Sequence, residues 1–166
     1  MLILVHSLGE LRFPELMEVY ADSNREAAGD WTDLPPLFAL ELAERDHRQY
    51  LLEVFFRTPG AMMAVWEVQG SYVSALRLEP YRDGLLLAGL ETAPAHRKKG
   101  YAGMLIRAVQ IHLRQQGPVK LYSHVSKRNT ASLRTHESCG FRQIADCAVF
   151  INGSVDYRSN TLLYEA

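Results

Sequence analysis

The stretch that most constrains this chain runs from Leu85 to Val125. LLLAGLET (85–92) is apolar at nearly every position, the pattern of a strand covered on both faces. After HRKKGYA (96–102), apolar residues fall at Ala102, Leu105, Ile106, Val109 and Leu113, the stripe of a helix laid on a sheet. Gly117 and Pro118 stop that helix, and VKLYSHV (119–125) reads as the next strand. A strand, a helix and a second strand in that order make a crossover between two parallel strands. The chain is therefore expected to be of the α/β class.

The remainder adds antiparallel pieces. MLILV reads as a short strand, and LRFPELMEVYADSNREAAGD (11–30) as a helix that breaks up at Asn24 and Gly29. Residues 37–56 have helical spacing, with Pro35 and Pro36 at the start, where a helix tolerates proline. MMAVWEVQ and SYVSALRLEPY form a strand pair about a turn at Gly70 and Ser71, and a turn at Asp83 and Gly84 leads into LLLAGLET. Asn129 is placed to cap a helix that ends near Cys139, with Gly140 suited to its left-handed cap. FRQIADCAVFI and SVDYRSNTLLYEA flank Asn152 and Gly153 as a hairpin. The expectation is one domain over 1–166, with a mixed, mostly antiparallel sheet and helices on both faces.

At 166 residues such a domain buries roughly 70% of its unfolded surface and needs no metal or disulfide to hold a core. The net charge of −1 and the absence of a basic face argue against a nucleic-acid partner. No run of about 18 apolar residues suggests a membrane span, and the first ten residues lack the basic region of a signal peptide. Two cysteines, Cys139 and Cys147, make neither a disulfide framework nor a four-ligand metal site. A cytoplasmic protein with free, packed thiols and no metal is expected.

HRKKGYA sits where a strand hands over to a helix. Unpaired amides and the positive end of the helix dipole make such a junction an anion site before any side chain is counted. Gly100 permits close backbone approach, and Arg97, Lys98 and Lys99 add charge suited to a phosphorylated ligand. Neither G-x-G-x-x-G nor G-x-x-x-x-G-K-[ST] is present, so a dinucleotide fingerprint and a Walker loop are excluded.

Pro94-x-x-Arg97-x-x-Gly100-x-Ala102, followed after a helix and a strand by Asn129-x-x-Ser132-x-x-x-His136-x-x-x-Gly140-Phe141, resembles the GCN5-related N-acetyltransferase superfamily. The resemblance is closest over 85–141. It implies acetyl-CoA as co-substrate, without metal. The turn Arg97, Lys98, Lys99, Gly100, Tyr101, Ala102 would bind the pyrophosphate, mainly through backbone amides, with Ala102 replacing the more frequent glycine. A bulge in the preceding strand, by position at Leu90 to Thr92, would hold the pantetheine arm and polarise the thioester. Asn129 and Ser132 would contact pantetheine or cap the helix.

The same resemblance implies acetyl transfer to a primary amine by direct attack. Glu91 is the candidate base, with Tyr122 and His124 as competitors. His136 falls where the family often has a tyrosine acid. The acceptor side would be built from residues 20–36 and 150–157, where Asp30 and Trp31, with Asp22, Glu26 and Asp33, suit a cationic amine, small or peptidic. A CoA-binding regulatory module without turnover is the alternative. The sequence leaves open the acceptor and the oligomeric state, a homodimer included.

Overall fold

The computed structural model describes Met1–Ala166. Seven strands form one sheet in the order β1 (Leu2–Val5), β2 (Met62–Val68), β3 (Ser71–Tyr81), β4 (Gly84–Thr92), β5 (Lys120–Ser126), β9 (Ser159–Glu165) and β6 (Arg142–Ala145). Only β4 and β5 run parallel, as the crossover requires. The other neighbours are antiparallel, and β7 (Ala148–Val149) pairs separately with β8 (Val155–Asp156).

The helices cover both faces. On one side α1 (Phe13–Val19) and the π-helical turn Leu51–Phe55 bury Leu16, Val19, Leu51 and Phe55 against Val5, Met63 and Val65. α2 (Ala21–Ala28) and α3 (Pro36–Tyr50) pack on each other above this layer. On the other side α4 (Tyr101–Arg114) buries Leu105, Ile106, Val109 and Leu113 against Leu76, Leu78, Leu87 and Leu121. α5 (Thr130–Ser138) joins that core through Leu133 and through the residues after it, Cys139 and Phe141. The stripe read from the sequence is thus the buried face of α4.

Three details differ from expectation. The segment 11–30 breaks at Tyr20, between α1 and α2, while Asn24 lies inside α2 and is buried, with its amide nitrogen on the Met17 sulfur and its oxygen on His47. The long tail hairpin is split: Thr161 Oγ1 donates to the carbonyl of Cys147, and the chain leaves the main sheet there to form β7 and β8. The turn between β2 and β3 falls at Gln69 and Gly70, one residue earlier, both with positive φ as a two-residue hairpin turn demands.

Candidate active site

Two local features of β4 open the sheet at its centre. Pairing with β5 covers only Leu85–Leu87 against Leu121–Ser123, so the two strands part beyond Leu87. On the other edge Ala88 faces Arg77 and Glu91 faces Ala75, so Gly89 and Leu90 oppose Leu76 alone. This is a β-bulge, and it lies at Gly89 and Leu90 rather than at Leu90 to Thr92. Gly89 makes it feasible: its φ is 57°, and a Cβ there would meet the Arg77 guanidinium at 3.1 Å. Tyr20 secures the bulge by donating its hydroxyl to the Gly89 carbonyl at 2.8 Å. Leu90 has no register partner in either ladder.

The turn that follows is built from backbone. Lys98 and Gly100 adopt positive φ, 59° and 81°, which turns the chain into α4. The amides of Lys98, Lys99 and Gly100 find no acceptor within the protein, and the first amides of α4 add the unpaired donors of any helix start. Lys99 caps the carbonyl of Ala95 at 3.2 Å, and Lys98 projects into solvent. Tyr101, the first residue of α4, sets its ring edge-on to His96.

A cleft of about 550 Å³ lies between these features, lined by Leu90, Glu91, Thr92, Arg97, Ala102, Asn129 and Ser132, with Ser23 from α2. Asn129 caps α5 by accepting from the Ser132 amide at 3.0 Å. A narrower slot of about 180 Å³ runs between the parted strands and is lined by Leu87–Leu90, His124, Asn129, Ser132 and His136. The structure therefore gathers residues from both sequence motifs around one opening.

Glu91 is half-buried, and removal from water raises its carboxyl above the usual range. Ser23, whose hydroxyl donates to the carboxylate, and the charge of Arg97 oppose that rise in part. His136 is fully buried on α5. Its Nδ1 lies 2.8 Å from the Ser132 carbonyl, which can only accept, so Nδ1 carries the proton. Nε2 is then an acceptor in the neutral ring and has no partner in the protein. Burial lowers the pKa of this imidazole, with the Ser132 carbonyl opposing. That arrangement is the reverse of what a general acid needs.

Other expected residues lie elsewhere. Asp30 is exposed beyond the end of α2, and Trp31 lines a separate apolar groove with Ala28, Leu34, Leu37 and Leu40. Neither borders the Glu91 cleft. Tyr122 donates its hydroxyl to Asp83 at 2.6 Å beside Lys120, at the opposite end of the β4–β5 pair. It is not placed to act as a base at Glu91. His124 does line the slot, with Tyr81 and Phe150 edge-on to its ring and no partner for either nitrogen.

Sequence reading missed the residues contributed by α2. Ser23 reaches Glu91, 68 positions later, and Asp22 pairs with Arg97 at 2.5 Å and with Arg25. Asp22 belongs to the acidic segment expected to suit the acceptor, yet its charge is already answered. No local pattern in ADSN signals these contacts.

Some solved structures share this architecture over nearly their whole length. The PaiA N-acetyltransferase from Thermoplasma acidophilum, in complex with coenzyme A, aligns over 100% of this chain and 99% of its own, with TM-score 0.68 and 13% identity. The spermidine N-acetyltransferase from Vibrio cholerae, in complex with CoA and spermine, aligns over 99% and 95%, with TM-score 0.60 and 20% identity. The fold is thus that of N-acetyltransferases. In sequence, the aminoglycoside N(6')-acetyltransferase type 1 of Acinetobacter haemolyticus is 25% identical over 128 residues, 76% of this chain and 86% of the relative. The acetyltransferase (GNAT) family model matches residues 14–141, and the chain belongs to that family as an N-acetyltransferase.

Proposed function

We propose that the protein transfers an acetyl group from acetyl-CoA to a primary amine by direct attack, with both substrates bound at once and Glu91 as the base. The observation that carries this reading is a half-buried carboxylate of raised pKa at the mouth of the opening between β4 and β5, beside a turn of unpaired amides. The amides of Lys98 to Ala102 are the donors for a diphosphate, with Lys98 and Lys99 adding long-range charge. Arg97 is held by Asp22 and by the carbonyl of Thr92, so its first duty is to brace the turn. The slot between the strands suits a narrow pantetheine arm, with Asn129 and Ser132 along it.

The chemistry then follows from the residues. An amine arrives as an ammonium and must lose a proton before its nitrogen can attack the thioester carbon. Glu91 takes that proton, directly or through one water. The amide of Leu90, at the bulge, is the donor closest in sequence to Glu91 for the oxygen that gains charge as the C–N bond forms, an interaction worth about 3 to 4 kcal/mol in comparable sites. As the C–S bond breaks, the thiolate leaves with little help, because a thiol of pKa about 8.5 is not strongly basic, and the second proton that the nitrogen sheds passes to the sulfur or to water. His136 orders Ser132 and the wall of the slot instead of donating a proton.

Thiol release from acetyl-CoA, followed across a panel of amines, tests this directly. Turnover with the parent and its loss in Glu91→Gln is the expected result. Binding of acetyl-CoA with no thiol release for any amine would leave the non-catalytic module standing instead.

A further inference from the structure

A larger cavity, about 740 Å³, opens on the acceptor side where α2, the loop after β5 and the start of β9 meet. Its walls are entirely polar: Glu26, Ser126, Lys127, Arg128, Asp156, Arg158 and Ser159. Asp156 is fully engaged, accepting from the Arg158 amide, the Arg158 guanidinium and the Ser159 hydroxyl. Arg158 is thereby paired as well. Lys127, Arg128 and Glu26 remain, and none of the three takes part in an ion pair or a side-chain hydrogen bond, so the cavity presents two free cations and one free carboxylate.

This cavity adjoins the slot beside the Glu91 cleft. Ser126 lines both it and the slot between β4 and β5, and Asn129 lines both that slot and the Glu91 cleft. On α2, Glu26 stands one turn after Ser23, the residue hydrogen-bonded to Glu91, so the two share a helix face about 5–6 Å apart. Glu91 and Glu26 are carboxylates fit for an ammonium, on either side of Ser23, and Lys127 and Arg128 line the same cavity as Glu26. The acidic residues that would have suited a polycation are elsewhere, with Asp22 paired to Arg97 and Arg25, and Asp30 and Asp33 exposed outside the clefts.

From this charge arrangement we infer that the acceptor is a zwitterionic amine, one carrying a carboxylate or phosphate within a few bonds of its amino group, of amino-acid or short-peptide size. The inference rests on acetyl transfer as proposed above and specifies its substrate class. Lys127 and Arg128 hold the anionic end and thereby point the amine at Glu91.

The test compares amino acids and dipeptides with their C-terminal amides and with spermidine, by thiol release from acetyl-CoA. The free acids are expected to show a KM about tenfold lower than the amides, the ratio that one charge-assisted contact supplies. In Lys127→Gln/Arg128→Gln that preference should vanish, with the KM for the amides and for acetyl-CoA unchanged. Equal use of acids and amides, or a preference for spermidine, overturns the inference while leaving acetyl transfer intact. A raised KM for acetyl-CoA in the double variant also overturns it, because the two cations would then serve the phosphates of CoA. No thiol release with any compound refutes acetyl transfer itself, and the inference with it.

Discussion

The two sides of the opening between β4 and β5 are made of different material. On the side proposed for CoA the groups available for recognition are backbone: the amides of 98–102, the positive φ values of Lys98 and Gly100, and the bulge at Gly89 and Leu90. On the side proposed for the acceptor they are side chains from distant segments, with Ser23 and Glu91 at one cleft and Glu26, Lys127 and Arg128 at the neighbouring cavity. A backbone site tolerates changes of side chain and fails when the turn is distorted. A side-chain site behaves in the opposite way, and substitutions can separate the two.

The largest effect belongs to Glu91. Its replacement by Gln should lower kcat by about 10² to 10⁴, the range of a lost general base, with the affinity for acetyl-CoA nearly unchanged. Because burial raises its pKa, activity should fall on acidification through a pH above the ordinary value of 4.5. The Ser23 hydroxyl favours the ionised carboxylate, so Ser23→Ala should move that acid limb to higher pH. A limb that stays in place would remove Ser23 from the proton path.

Next comes Gly100→Val, which forces a β-branched residue to a φ of 81° without any steric clash from neighbouring atoms. The strain of about 1–2 kcal/mol should weaken acetyl-CoA binding roughly 5- to 30-fold in a direct titration. Lys98→Ala/Lys99→Ala should cost less, and a larger loss than for Gly100→Val would mean that side chains, not amides, carry the turn.

His136→Ala should reduce kcat by less than about tenfold, short of what a lost general acid produces. The same change removes a fully buried ring that packs edge-on to Phe141, so thermal unfolding should report about 2–4 kcal/mol of lost stability. A kcat loss above 100-fold with stability preserved would restore the acid role. Smallest of all, Asp22→Asn removes an ion pair whose side chains are 42% and 45% exposed and screened by water, and should leave the thermal unfolding midpoint unchanged.

How much of this was legible depended on how local each cause is. The α4 stripe and the Asn129 cap follow from spacings of three and four residues, and both are realised as read. The Arg97 to Ala102 turn was legible because a glycine between a strand and a helix needs no distant partner. The bulge was misplaced by a residue because its position is fixed by pairing with β3, not by β4 alone. Asp30 and Trp31 looked like acceptor residues because they are acidic and aromatic in the right segment. The path of the chain after α2 carries them away from the cleft.

The sequence by itself determined the crossover, its amphipathic helix and the turn at 97–102, since periodicity and backbone preference act over a few residues. The tertiary structure alone decided which carboxylate would be half-buried, which histidine nitrogen would carry a proton and which cations would be left without partners. Those properties come from desolvation and from contacts between residues far apart in the chain, such as Ser23 with Glu91, and neither is written in any short stretch.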